Sequence, residues 1–172
     1  MLPLSADGVR YGLVVRVYDD GVAVRYVLPE NARRIEREHT AWNVPRNVKK
    51  VAWAGYDIGY EKEAYVTRMD EMPENEYVCG PLTVELPEGY MTFTEADCED
   101  FPDMAFSRSG NGFKSCFPSS EKGWDIKRLP DESEKVLAGK YKGKDVSPWR
   151  CAIIASDLTG LVNSDLLTNL SP

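Results

Sequence analysis

Histidine is almost absent from this 172-residue sequence, with His39 the sole example. It stands in a polar stretch and reads as a surface residue. No Gly-x-Ser-x-Gly elbow occurs anywhere, so a nucleophile–histidine–acid triad has nothing to be built from. Cysteine is scarce as well. The four cysteines, at positions 79, 98, 116 and 151, form no Cys-x-x-Cys pair, which sets zinc aside. Cys151 opens the apolar run Cys151-Ala152-Ile153-Ile154 and reads as a buried free thiol. No apolar run approaches the roughly 20 residues of a membrane-spanning helix, and no signal-peptide pattern opens the chain. Positive charge is the minority sign: 21 Lys and Arg against 28 Asp and Glu give a net charge of −7. A nucleic-acid partner requires a basic face to neutralise phosphates. The local basic run Lys135, Lys140, Lys142 and Lys144 does not supply one, because Asp131, Glu132, Glu134 and Asp145 surround it. A phosphate loop fails too: the stretch Gly139 to Asp145 has one residue too few and ends in Asp where Ser or Thr should hold Mg²⁺.

What is present is a globular composition, 42% hydrophobic and 28% charged, at a length suited to one domain spanning residues 1–172. Short β-branched runs punctuated by turns dominate. Tyr11 to Tyr18 and Val22 to Leu28 flank Asp19-Asp20-Gly21, a hairpin signal in which Gly is expected to supply positive φ. Both runs are apolar apart from arginines, which predicts strands covered on both faces. Glu30 to Asn43 has a weak helical pattern, and a turn followed by a strand over Ile35 to Trp42 fits equally well. Val51 to Tyr60 and Glu63 to Thr67 carry aromatics with frequent Gly, typical of loops and short edge strands, and strands are expected over Val84 to Leu86, Tyr90 to Thr94 and Phe113 to Phe117. The strongest is Trp149 to Ala155. Ser119 to Asp145 reads as a polar surface hairpin or meander, and Asn163 to Leu170 as a short strand or helical turn. No repeat and no long amphipathic helix appears, so the pattern predicts an all-β, mostly antiparallel sandwich.

Five acidic residues crowd nine positions: Glu95, Asp97, Glu99, Asp100 and Asp103. The spacing is not that of an EF-hand. Such a cluster is either a solvated turn, the default for exposed charge, or a place where a hard cation or polar ligand sits. Glu95 is the exception within it. Strand alternation carries it to the strand end on the Phe93 face, where its direction is set by the sheet rather than by the loop. The tryptophans are the other candidates. Trp149, at the entry to an apolar strand, reads as packed. Trp53 and Trp124, beside glycines, read as exposed and able to stack on sugar rings.

Several segments together resemble the N-terminal β-sandwich domain of family-97 glycoside hydrolases. They are RVYDDGVAVRY (Arg16 to Tyr26), GPLTVEL (Gly80 to Leu86), TEADCEDFPDM (Thr94 to Met104), SPWR (Ser147 to Arg150) and LVNSDLLTNLSP (Leu161 to Pro172). The resemblance implies a supersandwich of the galactose-mutarotase-like type, packed in the parent enzyme on a catalytic (β/α)8 barrel. It implies a Ca²⁺-dependent α-glycosidase acting on α-linked glucosides or galactosides, periplasmic or extracellular. The residue carried over is Glu95 of the Glu-Ala pair, which leaves the sandwich to complete a calcium site built mainly by the barrel. Phe101 stands where the family pattern usually has Tyr, and Asp103 where Gly is usual. On this reading the chain carries no catalytic residue and is inactive alone. It also lacks the opening strands of the sandwich, which would leave the Tyr11–Leu28 hairpin unpaired and the isolated chain prone to self-association. The alternative is a stand-alone carbohydrate-binding or protein-interaction module without a metal.

Overall fold

The structure is a computed structural model and describes residues 1–29, 34–35, 37–57, 59, 61–74, 76–98, 101–117, 124–125 and 146–171. The chain enters through a tight hairpin. Asp7 and Gly8 both take positive φ, 50° and 79°, and join β1 (Leu2–Ala6) to β2 (Val9–Tyr18) in register Ala6↔Val9. Paired positive φ values are those of a primed turn, whose twist matches the strands it connects. β2 then pairs with β3 (Gly21–Val27) across Asp19-Asp20. Here the expectation fails in its reason, since Gly21 is not among the positive-φ glycines. Its lack of a side chain serves close approach instead: an added Cβ would collide with the Ala152 carbonyl of the neighbouring strand and lie 3.0 Å from Leu166.

Among the described residues the further strands are β4 (Arg34–Ile35), β5 (Ala41–Asn43), β6 (Lys50–Gly55), β7 (Ala64–Thr67), β8 (Val78–Leu86), β9 (Gly89–Ala96), β10 (Ala105–Arg108), β11 (Gly112–Cys116), β12 (Trp124–Asp125) and β13 (Trp149–Ala155). The main sheet runs β1-β2-β3-β13-β9-β8-β10-β11-β5, and β6 and β7 extend from β8. All of its pairings are antiparallel. β8 is the branch point. One edge pairs first with β10 at Val78–Cys79 and then with β9 from Leu82 to Leu86, while the other edge carries β6. This branching curls the sheet into the predicted all-β sandwich.

Two apolar clusters lie on opposite faces of β13. Ala152 joins the larger, with Val51, Leu82, Val84, Phe93, Phe106 and Phe113. Trp149, Cys151 and Ile153 face the smaller, closed by Leu166 and Leu170. These leucines come from α2 (Leu166–Leu170), which follows α1 (Leu158–Val162), so the chain end folds as two short helices. Asp157 caps α1 by accepting the Gly160 N–H at 2.8 Å.

Three further expectations are corrected. The hairpin is not covered on both faces: Val15 and Val17 of β2 are 44% and 76% exposed, because β2 lies two strands out from the doubly covered β13. Nor is it unpaired, since β1 runs along β2 and β13 along β3. β1 and β10 were not expected at all. They are short, and Leu2–Ala6 contains a proline and no β-branched residue. The stretch expected to be a polar meander, Ser119 to Asp145, lies outside the described residues apart from β12, which pairs with β4.

Candidate functional site

The β9–β13 register sets Arg150 directly opposite Glu95. Cross-strand neighbours share a face, so the guanidinium and the carboxylate meet at the end of the larger core. Arg150 is fully buried. A buried cation must be paired and hydrogen-bonded, and this one is shared by two carboxylates. Nε donates to Glu38 Oε1 at 2.8 Å and Oε2 at 3.1 Å, and Nη2 donates to Glu38 Oε2 at 2.5 Å. Nη1 donates to Glu95 Oε2. Glu38 is held from its other side by the Thr40 hydroxyl, which donates to Oε1 at 2.6 Å. That leaves the Tyr26 hydroxyl as the donor in its 3.0 Å bond to Thr40. Glu95 Oε1 accepts the Met104 N–H at 3.3 Å.

One positive charge between two negative ones leaves the cluster with a net negative charge. The two carboxylates differ in their access to water: the Glu38 side chain is 5% exposed and the Glu95 side chain 20%. Burial pushes the Glu95 carboxyl above the usual carboxylate range; the Arg150 charge and the Met104 N–H pull it down without cancelling that effect. Burial works against the Arg150 charge, but the hydrogen bonds and charge of Glu38, and then Glu95, outweigh it and leave the guanidinium raised. Cys98 is exposed as a residue, yet desolvation of its sulfur by the protein on one side, and then the Glu95 charge, push the thiol up to about 12. Cys116 and Cys151 are likewise pushed up to about 12, chiefly by burial. All four cysteines are free.

The acidic loop is not the solvated turn that exposed charge predicts. Its described members are anchored. Asp97, at φ 57°, accepts Arg25 Nη1 at 3.0 Å, and the Arg25 guanidinium lies 4.3 Å from the Trp149 ring centroid. Asp103 accepts the Tyr56 hydroxyl at 2.8 Å. Phe101 packs edge-on against Phe117 at 6.3 Å and lies 5.7 Å from the Arg150 guanidinium. The two positions that depart from the family pattern thus both have partners here. Glu99 and Asp100 lie outside the described residues.

Trp149 is packed, as expected. Trp53 is not exposed: 9% of it is accessible, and its Nε1 donates to Thr67 Oγ1 at 3.0 Å. The expected exposure followed from nearby glycine and missed that Trp53 lies on β6, facing the core. The side chain of Trp124 lies outside the described residues. His39 is exposed and lines a cleft of about 270 Å³ with Tyr11, Tyr26, Glu38 and Phe101. Among the described residues, no group of three or more His, Cys, Asp or Glu could hold a metal ion.

Sequence reasoning missed Arg150 and Glu38. Arg150 carried a signal, being a lone charge in an otherwise apolar strand, which marks a buried pair. Glu38 carried none, because it stands among other charges and joins the cluster only through the fold.

With this geometry in view, the class is an all-β sandwich domain with a buried carboxylate–guanidinium–carboxylate cluster at one strand end. The family model described as "Glycosyl-hydrolase 97 N-terminal" matches residues 2–172, and the chain belongs to that family. It is 30% identical over 166 residues to a protein named "Probable retaining alpha-galactosidase" from Streptomyces bingchenggensis (strain BCW-1), covering 96% of this chain and 23% of that one. A family-97 glycoside hydrolase from Pseudoalteromonas sp. strain K8, solved in complex with acarbose, superposes with a TM-score of 0.72 at 23% identity. A variant of that enzyme with panose gives the same values, and each match covers 95% of this chain and 24% of the other. At that identity the likeness is one of fold. The chain thus spans about a quarter of the length of these relatives.

Proposed function

We propose that this chain serves as the non-catalytic N-terminal domain of a calcium-dependent α-glycosidase acting on α-linked galactosides or glucosides. In this reading it packs on the (β/α)8 barrel and presents Glu95 as one ligand of an active-site Ca²⁺. The observation that carries the reading is the way Glu95 is held. Arg150 and the Met104 N–H grip it from the protein side, while its side chain keeps 20% exposure. Each oxygen already accepts one hydrogen bond and keeps a lone pair for a cation approaching from outside. The residues of this chain fit a single shared ligand and not a cage, because Ca²⁺ takes about six to eight oxygens. When bound, such a cation supplies positive charge that polarises oxygens and stabilises negative charge at the reacting centre. This chain's own part is orientation: Glu38 fixes Arg150, and Arg150 fixes Glu95. Alone, the chain is expected to bind Ca²⁺ weakly and to hydrolyse nothing. On this reading the parent enzyme works in the periplasm or outside the cell. A surface that docks a barrel is uncovered when the chain is alone, so self-association of the isolated domain belongs to the same reading.

The test replaces the corresponding domain of the Streptomyces relative with this chain and measures Ca²⁺ affinity by calorimetry and activity on an aryl α-galactoside. Glu95→Gln should lower Ca²⁺ affinity by about tenfold or more, the cost of losing one charged ligand, with activity falling in parallel. Equal affinity in the two proteins would remove Glu95 from the metal site. A second reading, a carbohydrate-binding module, is favoured by one observation: an aromatic cleft on β6 and β7.

A further inference from the structure

We infer that the cleft lined by Trp53, Tyr56, Lys62, Tyr65, Glu76 and Tyr77 is a saccharide-binding site, separate from the Glu95 cluster. Its volume of about 520 Å³ suits a short oligosaccharide rather than a single ion. The aromatic platform is preorganised. Tyr65 stacks on Trp53 with centroids 5.0 Å apart and planes at 34°, and Thr67 locks the indole N–H at 3.0 Å. A β-bulge between Ala52 and Ala54 falls at Trp53, a device that re-aims a side chain relative to a regular strand. The Tyr56 N–H bonds to the Tyr77 carbonyl at 2.8 Å, tying the end of β6 to the segment that carries Tyr77.

Beside this platform lie polar groups open to solvent. Tyr65 and Tyr77 are 47% and 49% exposed, so each offers part of a ring to solvent. Lys62 and Glu76 are exposed, and among the described residues neither forms an ion pair or a hydrogen bond. A lipid would leave both charges unmet, and a polyanion would meet Glu76 and a net charge of −7. A neutral polyhydroxylated ring satisfies both parts of the surface. Its C–H face packs on tyrosine, and its hydroxyls bond Lys62 and Glu76. The site also touches the acidic loop: Tyr56 donates to Asp103, and the next residue, Met104, holds Glu95.

The choice of sugar rests on the glycosidase reading above, so the test keeps the two apart. The 172-residue chain is titrated with maltotriose, raffinose and, separately, decaproline, followed by two-dimensional amide NMR and the Trp53 indole signal. Maltotriose or raffinose should shift Tyr65, Tyr77 and Trp53 at millimolar concentration. Tyr65→Ala should weaken binding by about tenfold, the weight of one stacked ring. Glu76→Gln, which leaves the platform in place, should weaken it by several fold while thermal stability is unchanged. Glu95→Gln should bind sugar like the wild type, whatever its effect on Ca²⁺. The inference is overturned if neither sugar shifts these residues, if Tyr65→Ala and Glu76→Gln both bind undiminished, if Glu95→Gln loses sugar binding equally, or if decaproline alone occupies the cleft.

Discussion

Arg150 shows what a single buried charge costs and what it organises. Desolvating a guanidinium is unfavourable by several kcal/mol, offset here by Glu38 on the Nε–Nη2 edge and Glu95 on the third nitrogen. Such a cluster adds little net stability compared with an apolar replacement, but breaking it strands the remaining charges in the interior. Arg150→Ala leaves two carboxylates facing each other and should lower unfolding free energy in urea by about 3–5 kcal/mol. Arg150→Lys should recover only part of this, because an ammonium cannot serve both carboxylates in the planar fork geometry. A loss below about 1 kcal/mol for Arg150→Ala would mean that the cluster is solvated, since exposed pairs are worth no more than that. The raised carboxyl of Glu95 has burial as its first cause, which the Arg150 charge and the Met104 N–H do not cancel, and the Glu38 charge adds only the smallest share.

At the scale of elements, glycine does two different jobs that look identical in sequence. Asp7-Gly8 and Asp20-Gly21 are the same dipeptide between β-rich runs. The first is a primed turn with both residues at positive φ, and nothing lies within 4 Å of a Cβ added at Gly8. The second begins a strand pressed against the Ala152 carbonyl. Gly8→Ala therefore carries only the backbone penalty of a left-handed residue, about 1–2 kcal/mol. Gly21→Ala must push β3 away from β13 and should cost about 3 kcal/mol, at the upper end for overpacking. Thermal denaturation compares them directly; a midpoint lowered more by Gly8→Ala than by Gly21→Ala would contradict this assignment. β9 and β13 illustrate the opposite case, where alternation alone sufficed to orient Glu95.

For the molecule as a whole, β13 is the centre of the architecture. It pairs with β3 and β9, and both of its faces are covered. Opening it requires disrupting both clusters at once, so its amides report global unfolding. Hydrogen exchange should be slowest at Cys151–Ile153 and still slow across Val14–Val27, which β1 and β13 flank. Among the strands it should be fastest at Ala64–Thr67, where β7 pairs only with β6 and Val66 is 65% exposed. Rapid exchange at Val14–Val27 would restore the unpaired-edge expectation that the sequence alone suggested.

The sequence by itself determined the all-β class, the strand at Trp149–Ala155 and the face on which Glu95 emerges. Each of these follows from local information: period-2 alternation, turn residues, and residue types present or missing within a few positions. The tertiary structure decided which charges meet. Glu38 and Arg150 are 112 residues apart, and Arg25 and Asp97 are 72 apart. No spacing rule links such pairs, because only the order in which strands enter the sheet brings them together. It also decided that Trp53 supports an aromatic cleft instead of standing in solvent, since burial depends on what packs against a residue and not on its neighbours in the chain.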